Sequence, residues 1–122
     1  MAERPRDDAR EQRIHDEIIV DAYGPEEQAM GWYYSLDDRL QFPFRARCTV
    51  ERRTSPLRAG EDIEVTGMAS EDECEHDMFV LTRRDDRILA VPLAQLTGVD
   101  VDDATQQVIE DWRYWVDRGY DL

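Results

Sequence analysis

Seven consecutive positions, Glu71-Asp72-Glu73-Cys74-Glu75-His76-Asp77, hold five carboxylates, a thiol and an imidazole. Two kinds of metal could use such a set. A hard cation such as Ca2+ takes roughly six to eight oxygen ligands at about 2.3–2.6 Å. A borderline metal such as Zn2+ would draw on Cys74, His76 and Cys48 with one carboxylate. Structural zinc sites use two close ligand pairs, and only Cys74-x-His76 is present. Oxygen donors outnumber the soft ones, so the hard cation is the better metal reading. The reading without a metal is a solvated acidic loop whose Cys74 turns into the core.

A second acidic pair, Asp37-Asp38, falls at the end of a predicted helix. Carboxylates there oppose the negative end of the helix dipole, which invites a cation, Arg39 or solvent to compensate. Asp85-Asp86 fits a tight hairpin turn and needs no metal. Asp100-Val101-Asp102-Asp103 opens like a calcium-binding EF-hand loop, but the pattern fails. Thr105 stands where glycine is required, and Asp111 where the closing glutamate belongs. Those acids suit the start of the last helix instead.

Catalytic patterns are missing. There is no nucleophile elbow, no phosphate-binding glycine loop and no HExxH. The two histidines are His15, placed among charges on a helix, and His76. Neither spacing indicates an enzyme.

The elements that must position these groups follow from periodicity. Ile14, Ile18 and Ile19 mark an amphipathic helix from about Asp8 to Ala22, after a frayed lead-in over residues 1–10. Gly24 suits a left-handed residue closing it, and Pro25 the first turn of a second helix reaching about Leu36. Ala29, Trp32, Tyr33 and Leu36 form that helix's apolar face. From Phe44 the texture alternates: Phe44, Ala46, Cys48 and Val50 point inward from one strand, Ile63 and Val65 from the next. MFVLTRR and RILAVPL give two more strands, and AQLTGVD a helical turn with a short fifth. A third helix starts at Asp102 or Asp103, where Asp103 and Gln106 have capping-box spacing. Val108, Trp112, Trp115 and Val116 are its stripe, and Gly119 closes it. The expected fold is α+β: one domain over 1–122, a small antiparallel SH3-like barrel of about five strands, two N-terminal helices and one C-terminal helix.

Composition sets the outer bounds. With 29 Asp and Glu against 15 basic residues, all of them Arg, the net charge is −14. Such a field repels a nucleic-acid backbone and an anionic membrane surface, and attracts cations or a basic protein partner. A high-salt or GC-rich lineage would produce the same acidity and lysine avoidance without any site. No apolar run reaches the ~18 residues of a spanning helix. Neither a signal peptide nor a disulfide framework is evident, which points to the cytoplasm.

Several stretches carry a family resemblance: GPEEQAMGWYY, ECEHDMF, LAVPLAQL and EDWRYWVDRGY, within roughly Ile14 to Leu122. In these the chain resembles the cyanobacterial calcium-binding protein family. The resemblance implies calcium binding or buffering without EF-hands, on a small β-barrel-like core flanked by helices. It carries the family's acidic positions onto Asp37 and Asp38 at the helix-to-strand junction, and onto Glu71, Asp72, Glu73, Glu75 and Asp77 in the loop. One ion is expected where the junction approaches a neighbouring acidic segment, and a weaker one on the loop. The alternative is a calcium-independent SH3-like interaction module presenting Trp32, Tyr33, Tyr34, Trp112 and Trp115 to a basic or proline-rich partner.

Overall fold

The computed structural model describes residues 5–120 and residue 122. Three helices, α1 (Asp8–Glu17), α2 (Pro25–Arg39) and α3 (Asp103–Asp117), flank strands β1 (Phe44–Cys48), β2 (Asp62–Met68), β3 (Phe79–Arg84), β4 (Arg87–Pro92) and β5 (Leu96–Val99). All pairings are antiparallel, in the spatial order β4-β3-β2-β1-β5.

The α+β class is as expected, but the barrel is not closed. Among the described residues no ladder joins the edge strands β4 and β5. The chain between them makes a 3₁₀ turn, Leu93–Gln95, that drives Leu93 and Gln95 into the core. Helix α3 packs over that turn and β5. The sheet stays open.

One face of the sheet is apolar, with Ala46, Cys48, Val65, Val80 and Val91 essentially sealed from solvent. The other carries cross-strand charge pairs such as Arg47–Asp62 at 2.7 Å. Onto the apolar face α2 and α3 bring Trp32, Leu36, Val108, Ile109, Trp112 and Trp115. The three indoles form one group, with Trp32 centred 5.0 Å from Trp112 and 5.7 Å from Trp115. These aromatics are core, as the helical spacing predicts.

Several boundaries differ from the sequence reading. The expected frayed lead-in over residues 1–10 is not frayed at its end, since Asp7 caps α1 by accepting from Arg10 N–H at 3.0 Å; residues 1–4 lie outside the described set. Helix α1 stops at Glu17, five residues before Ala22, although Ile18 and Ile19 remain buried beyond its end. The left-handed residue is Asp21 (φ 57°), while Gly24 is extended and precedes α2. A side chain at Gly31 would lie 2.5 Å from the Ile18 carbonyl oxygen, so glycine permits this close approach of the α1 exit to α2. Val50 is half exposed and outside β1. The α3 cap is Asp102, accepting from Thr105 N–H at 2.7 Å, rather than Asp103; Gln106 reaches Thr97 and Glu110 instead. Gly119 does end α3 in the left-handed region, and Asp85-Asp86 does make the hairpin turn with both φ positive.

Two carboxylates no pattern flagged tie α1 to α3. Asp111, with no exposed surface, accepts from Arg10 at 2.7 Å and Arg13 at 2.6 Å. Glu11, also buried, accepts from the hydroxyls of Tyr114 at 2.6 Å and Tyr120 at 2.7 Å. Burial pushes the Glu11 carboxyl upward. The two phenols and the Arg6 and Arg118 guanidiniums outweigh that and hold it below the ordinary glutamate value.

Candidate metal centre

The acidic loop hangs between β2 and β3, and its shape is set by polar contacts that begin at Ser70. Ser70 caps a 3₁₀ turn, Glu71–Cys74: its hydroxyl accepts from Glu73 N–H at 3.4 Å and donates to the Glu73 carboxylate at 3.2 Å. This is an S-x-x-E capping pattern in miniature. Cys74 is buried beneath the turn, its sulfur accepting from Phe79 N–H at 3.3 Å and donating to the Phe79 carbonyl at 3.6 Å. Burial pushes that thiol up, as it does the Cys48 thiol, so both are protonated packing groups. The backbone N–H of Ala69 donates to Phe79 at 3.0 Å and closes the base of the loop.

Helix α2 presents the second acidic pair. Leu36 and Leu40 are buried and anchor its last turn, leaving Asp37 and Asp38 facing solvent. Arg39, the neighbour expected to offset them, reaches away to Glu17 at 3.3 Å. Their charge is therefore not cancelled by the arginine next to them.

The two acidic segments meet across α2, through tyrosines. Tyr33 donates to the Ala69 carbonyl at 2.7 Å, and Tyr34 donates to Glu71 Oε1 at 2.6 Å. Burial raises the Tyr33 phenol above its ordinary value. The negative charges of Asp37, Glu71 and Glu73 push the same way. Hydrogen bonding to Glu71 likewise holds the Tyr34 phenol above its usual value.

The remaining loop acids face elsewhere. Glu75 lines a cavity of about 250 Å³ with His76 and the first turns of α2: Pro25, Glu26, Ala29 and Met30. Asp77 accepts from Arg52 at 3.1 Å and from Met78 N–H at 2.8 Å. Asp72 is exposed. Along α2, Glu26 and Asp37 are about 16 Å apart at the ~1.5 Å rise per residue. Donors to one calcium must lie within roughly 5 Å of one another. Asp37 and Glu75, at opposite ends of α2, are thus too far apart to share one ion.

The donor chemistry fits a hard cation, since every free acceptor in these groups is oxygen. Among the described residues, no three Asp, Glu, His or Cys side chains converge into a ready-made metal cage. The carboxylates stand open, and main-chain carbonyls and water would complete any shell.

Comparison with known proteins decides the family. A family model described as calcium binding, of the CcbP type, matches residues 12–116. The chain belongs to the CcbP calcium-binding family. Among solved structures it is similar to the crystal structure of Anabaena CcbP, at 46% identity and a TM-score of 0.87. It is equally similar in sequence to a calcium-binding protein in the calcium-binding form, at 46% identity and a TM-score of 0.86. Both likenesses cover 100% of each chain. No curated protein matches. CcbP membership places the chain among calcium-binding proteins rather than in an enzyme family, as the motif resemblance implied. Among the described residues no helix is long and apolar enough to cross a membrane.

Four residues around the loop escaped the sequence reading: Tyr34 and Tyr33 as tethers, Ser70 as a cap, Arg52 as a counter-ion. Only Ser70 left a local signal, the three-residue spacing to Glu73.

Proposed function

We propose that this chain is a cytoplasmic calcium-binding protein, a buffer that takes the ion on open carboxylates without an EF-hand. The tighter site would use Asp37 and Asp38 of α2 with Glu71, Asp72 and Glu73 of the loop. A weaker one would use Glu75, with Asp77 joining only if it gave up Arg52. The observation that carries this reading is that α2, which bears Asp37 and Asp38, is tied to the acidic loop by the Tyr33–Ala69 and Tyr34–Glu71 hydrogen bonds in a CcbP-family chain. Carboxylates held close without a counter-cation repel one another, and a divalent ion relieves that repulsion.

The interaction-module alternative finds less support. Trp32, Trp112 and Trp115 are at most 5% exposed and offer little surface to a partner.

Titration calorimetry on chelator-treated protein, run at two salt concentrations, tests the calcium reading. Saturable heat should persist at the higher salt with a weaker apparent affinity. No heat at millimolar calcium in moderate salt would sink it.

A further inference from the structure

The loop's two ends are held by different chemistry. Arg52 holds Asp77 at 3.1 Å with a full positive charge, which cancels the carboxylate's own. Tyr34 holds Glu71 at 2.6 Å with a neutral hydroxyl. A phenol orders the carboxylate, occupies one of its roughly four lone-pair sites and leaves the negative charge intact. Tyr33, the preceding residue, fixes the adjoining main chain through the Ala69 carbonyl at 2.7 Å. Asp37 is three residues beyond Tyr34, on the same side of α2. The helix that carries Asp37 thus also fixes the position of Glu71, without spending a charge.

We infer that Tyr34, acting with Tyr33, is a positioning residue for calcium: a neutral clamp that holds Glu71 against the helix carrying Asp37 while preserving the anionic charge the ion needs. This rests on the calcium reading of the same site. Ordering a long carboxylate side chain before the ion arrives removes an entropic cost from binding. An arginine at position 34 would supply equal order but remove the charge. Fifteen arginines elsewhere show that the sequence had such a residue in ready use.

The test is calcium calorimetry on the full chain and on Tyr34→Phe, Tyr34→Arg, Glu71→Gln and the double variant Tyr34→Phe with Glu71→Gln. Tyr34 is 54% exposed, and melting in chelator checks that each variant folds. Tyr34→Phe should bind about fivefold more weakly with an unchanged chelator melting point. Tyr34→Arg should bind no better than Tyr34→Phe. On the Glu71→Gln background, Tyr34→Phe should cost nothing further, because its effect passes through Glu71. Wild-type affinity in either single Tyr34 variant would overturn the inference, as would an equal loss in both Glu71 backgrounds. A wild-type chain that takes up no calcium would bring down the functional reading, and this inference with it.

Discussion

At the scale of single residues, acids of the same type do different work according to what neighbours them. Asp77 is matched by Arg52, Asp62 by Arg47, and Asp102 by the start of α3. Asp37 and Asp38 stand unmatched by their neighbouring arginine, which has gone to Glu17. Neutralising an acid should therefore cost calcium affinity by position, not by charge count. Asp38→Asn and Glu75→Gln should each weaken binding by about three- to tenfold, while Asp85→Asn, in a turn between β3 and β4, should leave it unchanged. Calorimetry on the three variants checks this. Equal losses would mean diffuse screening by a −14 chain rather than sites.

At the scale of elements, alternation and helical periodicity made the strands and helix stripes legible. Phe44, Ala46, Cys48, Ile63 and Val65 face inward as their period-two pattern requires, and Trp32 and Trp112 sit on the faces their spacing assigns. The acidic segments were legible from composition. Their meeting was not, because hydrogen bonds from Tyr33 and Tyr34 to residues about 36 positions away leave no mark in local periodicity. The same holds for the α1–α3 latch. Its acids, Glu11 and Asp111, look like solvent-facing helix residues until Tyr114, Tyr120, Arg10 and Arg13 close over them.

That latch has measurable consequences. Asp111→Ala leaves two arginines facing each other, each about a quarter exposed, and should destabilise the fold by about 3 kcal/mol, at the low end for a broken buried pair. Urea denaturation measures it. Glu11 adds a pH dependence. Its carboxyl is depressed in the folded state, so its contribution is complete above the ordinary glutamate value of 4.5. That contribution is lost as pH falls through the lower folded value. Melting points of wild type and Glu11→Gln should therefore keep a constant gap above pH ~4.5 and converge as the pH falls below it.

At the scale of the whole molecule, the charge separates into a diffuse part and a local part. Among the described residues most acids are paired, cap helices or face solvent singly, and monovalent salt screens their mutual repulsion. The acids around Tyr33 and Glu75 would respond to a divalent ion specifically. Thermal melts in sodium, magnesium and calcium at matched ionic strength separate the two. Sodium should give a modest rise common to all three series. Calcium at about a hundred times its dissociation constant should add roughly 10 °C, corresponding to ~2.7 kcal/mol of linkage. Magnesium should add less, because open carboxylates fit its small, rigid octahedral shell poorly. Equal shifts in all three salts would assign the effect to screening alone.

The packing of Trp32 against Trp112 and Trp115 also gives the molecule an optical gauge. Indoles centred 5.0 and 5.7 Å apart at inclined angles couple their excited states, which should appear as a paired positive and negative band in the circular dichroism spectrum. One partner rides on α2, immediately before the two tyrosines, and the other two ride on α3. The sign and size of that couplet thus read the pose of α2 against α3 without any attached label. A couplet unaltered by calcium would show an ion captured by side-chain motion alone. An altered one would show the helix itself turning in response.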